Sequence, residues 1–407
     1  MNDRYLDYRV NVGYTINMIR FYKPTLKRKD MDGVLQTMVN EEIGPGESSK
    51  LFTQMFAERV KCAKGLSFRT YPDCIDGALK VLGVDRTSTV AISPLAPSVY
   101  AQALRKTGCK VVFVDVDKEN GLVDEQGVLN SGAQVLILYD SCGSLALKYN
   151  KETTFAEKVS YGEIKILEDV SESIGGFYSD EYVPGDWGDV VISSFEENNV
   201  VSCAGGAAFA VKKDYVPALR AFIKGKKEEA SEEISEASEA EAGAQAVDAS
   251  EGEASDVAAE EVEAPVVFAG NYTKMTDLNA SLGAVQLQNL DSNCDRSRKI
   301  CQRYTQRLMQ TRHKAFGLTL VDFNSSCSCF AVFLDSKPED SIKFAARNGI
   351  PLIRTFKDSI CSVYEGDLFA DFPNSAAYYF RTVSFPVYPF LKDTEIDLVA
   401  KVIAHLL

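Results

Sequence analysis

The residues whose types and spacing best suit chemistry lie in the middle of the chain. The apolar run Ile164 to Leu167 predicts a buried strand that ends in two acids, Glu168 and Asp169. Ligands of α/β sheets bind at the ends of such strands, so these acids mark the first place to expect a ligand site. A carboxylate at a strand end is also a common helix cap, and Asp169 alone does not decide between the two roles.

Further short motifs follow the two acids in a fixed order. They are Glu168-Asp169, Gly188-Asp189, Ser194-Phe195 and Gly205-Gly206. This order resembles the core of the DegT/StrS-type nucleotide-sugar aminotransferases, and the segments 275–290 and 383–399 resemble that family's later signatures. The resemblance implies an α/β fold of the fold type I aminotransferase class. It implies a large domain with a mixed, mostly parallel sheet flanked by helices, a smaller α+β C-terminal domain, and pyridoxal phosphate as the family's cofactor.

The family's lysine, which carries the cofactor as a Schiff base, has no counterpart here. The matching residue is Asn199, or Asn198 if the loop shifts by one position, and no lysine occurs between Lys165 and Lys212. Because that amine is the nucleophile itself, the resemblance predicts a chain without a catalytic residue.

Other cofactor positions also differ from the family pattern. A Ser-Gly-Thr phosphate cradle is expected where Thr70-Tyr71-Pro72 stands, although a proline suits the first turn of a helix. The ring-stacking aromatic is replaced by Pro97, and Tyr100, one helical turn later, is predicted to be a packing residue. These changes predict weak cofactor binding or none.

Three residues keep a possible cofactor role through the resemblance. Asp169 matches the acid that bonds the pyridinium nitrogen, Ser194 matches a donor to the phosphate, and Glu172 stands where the family has glutamine. The family's phosphate-binding asparagine falls at Tyr272, with Asn271 one step away. We expect these contacts to matter only if the cofactor binds.

Composition excludes several classes of function. The chain has 407 residues and a net charge of −14, and 14 acids without any Lys or Arg lie between residues 228 and 263. The rest of the chain is close to neutral, which does not indicate a nucleic-acid partner. No apolar run approaches the length of a membrane span, and the N-terminus lacks a secretory signal pattern, so we expect a cytoplasmic protein.

Cysteine and histidine content argues against metal and hydrolase chemistry. The ten cysteines are scattered, and only Cys327 and Cys329 lie close together. Free thiols are therefore favoured over disulfides or zinc, and we expect no metal site. With two histidines, a Ser-His-Asp relay is not expected.

The order of segments predicts five regions. An N-terminal extension (1–18) precedes the large domain (19–224), and an acidic insert predicted to be disordered (225–265) separates that domain from a linking helix (266–310) and the small domain (311–407). Within these regions two helices are predicted to have apolar stripes. The stripes are Leu51, Met55 and Val60 in one helix and Leu278, Leu282, Val285 and Leu290 in the other.

These observations predict a degenerate member of the family that has lost transamination. It would act as a non-catalytic partner of an active relative, in a homodimer or heterodimer, or as a nucleotide-sugar binding protein in polysaccharide or cell-envelope metabolism. The alternative is a working pyridoxal phosphate enzyme on a nucleotide sugar, or one that does not need the lysine. A structural oligomer without a ligand is the third possibility.

Overall fold

The computed structural model describes residues 18–41, 43–148, 150–177, 182–225, 273–317 and 324–406. The predicted N-terminal extension, almost all of the acidic insert and the Asn271 and Tyr272 positions lie outside these described residues.

A seven-stranded sheet forms the centre of the larger part of the chain. Its spatial order is β1-β7-β6-β5-β4-β2-β3. Neighbouring strands are parallel from β6 to β3, and β7 runs antiparallel to both β6 and β1. The strands are β1 (Lys64–Phe68), β2 (Thr89–Ile92), β3 (Lys110–Phe113), β4 (Val135–Tyr139), β5 (Lys165–Asp169), β6 (Val190–Ser194) and β7 (Ala207–Val211).

Helices cover both faces of this sheet and continue into the C-terminal part. They are α1 (Arg28–Val39), α2 (Glu47–Arg59), α3 (Tyr71–Leu82), α4 (Val99–Thr107), α5 (Glu125–Ser131), α6 (Thr154–Ser160), α7 (216–225), α8 (Asp277–Gln288), α9 (Leu290–Leu308), α10 (Pro338–Arg347), α11 (Leu368–Asp371), α12 (Pro373–Arg381) and α13 (Asp393–Ala404).

The central strands are apolar on both faces because helices lie on both faces. Every residue of β6 and β7 is buried. Side chains alternate between the faces: Val190 and Ile192 pack with α3 and α4, whereas Val191 packs with Phe52 and Phe56 of α2. This two-sided burial explains why the strands have continuous apolar runs rather than alternating ones.

The two predicted helical stripes are wrong in detail. Leu51 is 54% exposed, and α2 instead buries Phe52 and Phe56. On α8 the core-facing residues are small, and a Cβ at Gly283 would lie 2.6 Å from the Phe52 ring. Close packing of α8 on α2 therefore selects small residues for the buried face of α8. Leu278, Leu282 and Val285 of the predicted stripe are only partly buried, whereas Leu290, at the start of α9, is buried as predicted.

The C-terminal part has its own four-stranded antiparallel sheet, in the order β10-β11-β9-β8. Its strands are β8 (Lys314–Ala315), β9 (Phe330–Phe333), β10 (Ile353–Arg354) and β11 (Thr382–Phe385). Val332 and Val383 of this sheet pack with Ile396 and Val399 of α13 and with Tyr304 of α9. A separate core thus supports the part of the chain that follows the linking helix.

The predicted α/β class, with a mostly parallel sheet between helices, is confirmed. The segment boundaries, including those at 224/225 and 310/311, stay predictions. Among the residues that the structure describes, no helix is both long and apolar enough to cross a membrane.

Candidate active site

Four strands bring the predicted site residues to one edge of the large sheet. Asp169 ends β5, and Ser194 ends the neighbouring parallel strand β6. Tyr71 begins the helix that follows β1, and Tyr100 lies in the first turn of the helix that follows β2. Because β1, β2, β5 and β6 all point their carboxyl ends the same way, residues distant in sequence meet at this edge.

The Asp169 carboxylate is fully buried and accepts four hydrogen bonds from the chain itself. Oδ1 accepts from the Ser171 amide at 2.9 Å and from the Ser171 hydroxyl at 2.5 Å. Oδ2 accepts from the Tyr71 phenol and, at 2.5 Å, from the Tyr100 phenol. Two oxygens with two lone pairs each are thereby saturated. The carboxylate has no acceptor site left for a ring N–H.

Burial governs the proton affinity of this group of residues. It raises the pKa of Asp169, and hydrogen bonds from Ser171, Tyr100 and Tyr71 oppose that rise. Burial, followed by the nearby Asp169 charge, raises the pKa of both phenols well above the usual value. The phenols therefore stay protonated and act as donors, which is the role that the carboxylate requires.

The start of α3 is already occupied where a phosphate cradle was expected. Thr70 caps the helix by accepting from the Asp73 amide at 3.3 Å, and its hydroxyl donates to the Asp73 carboxylate at 2.6 Å. Pro72 lies in the first turn, as the sequence predicted, and supplies no N–H. A carboxylate at the helix N-terminus takes the position that favours an anion and would repel a phosphate.

Asn199 does not point a reactive group into an open site. The residue is 9% exposed, its side-chain amide donates to the Ser194 carbonyl at 2.8 Å, and its backbone carbonyl accepts from the Tyr22 phenol at 3.4 Å. An amide is not nucleophilic, and this one fastens its own loop to the end of β6. The Ser194 amide donates to the Ser171 hydroxyl at 2.8 Å, which joins the ends of β5 and β6.

Glu172 is likewise engaged within the chain. Its carboxylate accepts from the Cys142 amide and from the Tyr139 phenol, and burial raises its pKa. Its neighbour Glu168 is buried, accepts from the amides of Gly185 and Gly188, and has a pKa raised by burial to about 7. Sequence reasoning identified these acids but not their partners.

The Gly205-Gly206 pair closes the loop that contains Asn199. Both residues have left-handed backbones, with φ of 118° and 95°. A Cβ at Gly206 would lie 2.5 Å from Met275 Cε. The motif therefore serves a tight turn against the start of α8.

Two small cavities lie at this edge of the sheet. One, of about 30 Å³, is lined by Asn199 together with Tyr22, Asn293 and Cys327, among others, and the other, of about 20 Å³, is lined by Tyr139 and its neighbours. Each has room for one or two water molecules, whereas cofactor and ligand pockets measure hundreds of cubic ångströms.

Taken residue by residue, this site does not fit pyridoxal phosphate. Asp169, the acid predicted for the ring nitrogen, is saturated, the predicted phosphate position holds a carboxylate, and Asn199, the predicted counterpart of the lysine, has an amide that bonds the backbone. Sequence reasoning missed Ser171 and assigned Tyr100 to packing. That assignment was incomplete, because Tyr100 is fully buried but also donates to Asp169. In the described part of the chain, no group of three or more His, Cys, Asp or Glu could hold a metal ion.

Comparison with known proteins covers nearly the whole chain. Residues 24–404 match the sequence model of the DegT/DnrJ/EryC1/StrS aminotransferase family. The chain belongs to this family. A curated member similar to it is the spore coat polysaccharide biosynthesis protein SpsC of Bacillus subtilis, 24% identical over 399 residues, which are 92% of this chain and 93% of that protein.

Solved structures of aminotransferases show the same fold. A putative sugar aminotransferase from Streptococcus pneumoniae in its PMP form has a TM-score of 0.76 at 16% identity and covers 95% of this chain and 97% of its own. The aminotransferase TlmJ from Streptoalloteichus hindustanus has a TM-score of 0.75 at 20% identity, over 95% and 98% of the two chains. The protein is therefore a homologue of sugar aminotransferases, and the solved structures similar to it include the PMP and PLP forms of the Streptococcus pneumoniae protein.

Proposed function

We propose that this chain is a catalytically degenerate member of its family and works as a non-catalytic partner of an active family aminotransferase. Its context would be the sugar metabolism of a polysaccharide or cell envelope, in the cytoplasm. The similarity to SpsC, a protein of polysaccharide biosynthesis, supports that context.

The observation that carries this proposal is the state of Asp169. Two phenols from separate strand ends and the Ser171 hydroxyl and amide supply every hydrogen bond that the carboxylate can accept. A ring N–H could enter only by displacing a phenol, and the displaced phenol would lose a charge-assisted hydrogen bond in a buried place. Asn199 in the place of the family's lysine also disfavours cofactor binding, because it offers no amine for a Schiff base.

An exposed apolar stripe on α1 supports the partner role. Met31, Leu35 and Met38 recur at helical spacing, and their side chains are 49%, 55% and 54% exposed. The opposite side of α1 lies on α8, where Gly33 meets Val285. Exposed apolar patches of this kind mark surfaces that another protein covers. The occupant that we propose is a second family chain, either a copy of this one or an active relative.

Nucleotide-sugar binding is the second form of the proposal, and the cavities favour it less. The spaces beside Asn199 and Tyr139 measure about 30 and 20 Å³, far below the volume of a nucleotide sugar. A chain that binds such a ligand would need to widen this edge or to complete it with a partner. A working pyridoxal phosphate enzyme remains the alternative, and the retained acid Asp169 is the observation in its favour.

The test uses the full chain, purified and then mixed with pyridoxal phosphate. We expect no visible absorbance band from a bound cofactor, and no pyridoxyl group on any lysine after borohydride reduction. Co-expression with a lysine-bearing family member from the same cell should yield a complex that survives size-exclusion chromatography. A cofactor band together with a trapped lysine adduct would return aminotransferase activity to first place. If the chain does not elute together with the co-expressed family member, the proposed partner role is wrong.

A further inference from the structure

The C-terminal part is held against the loops that follow β2 and β3 of the large sheet. Asp115, two residues after β3, is the centre of one contact. Its carboxylate accepts from the Asn374 amide at 3.0 Å, from the Ser375 amide at 2.7 Å and from the Ser375 hydroxyl at 2.6 Å. The Asn374 side-chain amide donates in return to the Val116 carbonyl at 2.8 Å. Hydrogen bonds thus join two places about 260 positions apart in the chain.

The Asp115 carboxylate is the cap of α12. Phe372, at the N-terminus of this helix, has no side chain that could cap it. The first-turn amides therefore depend on Asp115, and the helix dipole also favours a carboxylate at that end. Because α12 leads directly into β11, an inner strand of the C-terminal sheet, this one carboxylate fixes that sheet to the end of β3.

A second contact pairs the segment 94–98, after β2, with the segment 358–361. The Ile360 amide donates to the Ala96 carbonyl at 2.8 Å, and two further backbone hydrogen bonds of 2.9 and 3.0 Å join the same segments. Pro97, the position at which the family resemblance places a ring-stacking aromatic, lies within this antiparallel pairing. A position expected to face a cofactor therefore contacts the C-terminal part instead.

Apolar side chains fill the space between these two contacts. The Phe316 ring meets the rings of Phe356 and Tyr378 edge-on, with centroids 5.1 and 5.4 Å apart. Parts of one chain move relative to each other unless the surface between them is large and apolar. The interface cluster, in which every residue is at most 9% exposed, draws on both parts and comprises Leu95, Val116, Cys142, Ala331, Phe356, Cys361 and Tyr378.

The C-terminal part is also held on the side of β5. Phe177 and Asn324 exchange two backbone hydrogen bonds, at 3.0 and 2.9 Å. The cavity of about 20 Å³ beside Tyr139 lies under the first side, where Leu95 and Phe316 line it. Ligands of α/β sheets bind in the crevice at this edge of the sheet. A ligand larger than water therefore reaches this space only when the contacts around Asp115 open.

We propose that Asp115 is a latch that keeps the C-terminal part closed over the carboxyl edge of the large sheet and so controls ligand access to that edge. When the latch is released, α12 loses its cap, the segment 358–361 separates from 94–98, and the cavity beside Tyr139 joins the solvent. This inference concerns the closure of the crevice and does not depend on the partner role proposed above.

The two thiols of the interface cluster report this opening. The reduced full chain is treated with iodoacetamide under native conditions, and alkylation of Cys142 and Cys361 is compared by mass spectrometry with that of Cys74, buried between α3 and the large sheet. In Asp115→Ala we expect Cys142 and Cys361 to react roughly tenfold faster, because opening no longer breaks the hydrogen bonds of a charged group. The rate at Cys74 should not change.

Asp117→Ala is the matched control, two residues along the same loop. The Asp117 carboxylate accepts from the amides of Glu119 and Asn120 in its own turn, at 2.9 and 3.1 Å, so the alkylation rates should stay as in the unmodified chain. Asn374→Ala keeps Asp115 and removes the bond to the Val116 carbonyl. It should give a smaller acceleration, and it replaces Asp115→Ala if that variant does not fold.

Three results would overturn the inference. One is a Cys361 that is alkylated in the unmodified chain as fast as the half-buried Cys109. Another is an equal acceleration at Cys74 in Asp115→Ala, because Asp115 would then stabilise the whole fold rather than the closure. The last is the same acceleration in Asp117→Ala. The first comparison uses the unmodified chain and holds even if every variant fails to fold.

Discussion

The chemistry available to Asp169 depends on the side chains that reach it. A carboxylate at a strand end could hold a ligand or could complete a structural network, and here the Tyr71 and Tyr100 phenols complete one. Asn199 shows the same contrast, because its amide bonds the Ser194 carbonyl rather than facing a cavity wide enough for a cofactor. Single substitutions at these residues therefore test two points separately: whether an amine is missing at position 199, and whether a cofactor pocket is missing around Asp169.

Restoring a lysine alone should not restore cofactor attachment. We expect Asn199→Lys to give no pyridoxyl adduct after borohydride reduction, because the phenols still saturate Asp169 and Asp73 still occupies the start of α3. The Glu196→Lys variant, at an exposed position of the same loop, controls for a lysine that merely reacts from the surface. An adduct specific to position 199 would mean that the amine was the one missing element.

Removing a phenol should destabilise the fold. In Tyr100→Phe, Asp169 loses one of four donors in a fully buried place, and we expect the free energy of unfolding to fall by about 1–3 kcal/mol. Urea denaturation measures the change. Tyr161→Phe, at a residue that is 80% exposed, should change the stability by less than about 0.5 kcal/mol. Equal effects at the two positions would argue against the network.

Glu168 should make stability depend on pH. Burial raises its pKa from 4.5 to about 7, so the folded protein holds a proton that the unfolded chain releases at lower pH. This contribution is complete below pH 4.5 and is lost as the pH rises through 7, with a size on the order of 3 kcal/mol. The Glu168→Gln variant has no ionisable group at this position and therefore lacks this pH-dependent contribution.

Unfolding free energies measured from pH 4.5 to 8 test this expectation. The decline toward pH 8 should be shallower in Glu168→Gln than in the unmodified protein, whatever the variant's absolute stability. Glu163→Gln, at an exposed carboxylate paired with Lys158, is the control and should keep the original slope. Parallel curves for all three proteins would contradict a raised pKa at Glu168.

At the scale of elements, α2 depends on a residue that lies about 230 positions later in the chain. Gly46, at its N-terminus, has no side chain that could cap the helix. The Asp277 carboxylate of α8 instead accepts from the amides of Gly46, Ser48 and Ser49, at 2.7, 3.0 and 2.8 Å. One acid therefore caps the first turn and fixes α8 against α2.

Loss of this cap should cost more than loss of a surface ion pair. Asp277→Ala leaves the Ser48 and Ser49 amides without their acceptor and the Gly46 amide with only the Ser49 hydroxyl at 3.2 Å, and we expect a loss of about 2–4 kcal/mol in the free energy of unfolding. Asp291→Ala breaks an exposed pair with Arg59 and should cost less than about 1 kcal/mol. Thermal or urea unfolding measures the loss of stability in each variant. If Asp277→Ala costs no more than Asp291→Ala, Asp277 does not have this capping role.

At the scale of the whole molecule, the carboxyl edge of the large sheet is closed while the α1 face is open. In the described part of the chain, side chains fill this edge around Asp169, and the two cavities beside Asn199 and Tyr139 are of water size. The apolar stripe of α1, by contrast, faces outward. This division suits a protein that contributes a surface to an assembly more than one that encloses a substrate.

A charge placed on the α1 stripe should break the proposed assembly. We expect Leu35→Glu to shift the protein from a dimer to a monomer in size-exclusion chromatography with light scattering, because a charge buried in an apolar interface is costly. Folding should be unaffected, since Leu35 is 55% exposed in the single chain. Val363→Glu, at a residue equally exposed elsewhere, should leave the dimer intact. If the unmodified chain is a monomer, or if its dimer is unaffected by Leu35→Glu, the α1 stripe is not the interface.

Sequence patterns predicted the strands well and the contact surfaces of the helices less well. The strand predicted from Ile164 to Leu167 and ending in Glu168 and Asp169 corresponds to β5, Lys165–Asp169. The predicted stripe of Leu51, Met55 and Val60 was wrong at Leu51, which is exposed although Val60 is buried, because which side of α2 is buried depends on where α8 lies against it. Tyr100 was predicted to pack, and its bond to Asp169 could not be inferred from a spacing of 69 residues.

The sequence by itself determined the family and the order of the elements, and it predicted that Asn199 stands in the place of the family's lysine. Apolar runs, glycines and short motifs are local, so their consequences for strands and turns are visible in the printed order of residues. Only the tertiary structure decided that Tyr71, Tyr100 and Asp169 form one network and that Asp277 caps α2. A hydrogen bond requires two atoms within about 3 Å, and that distance depends on how the whole chain packs rather than on separation in sequence.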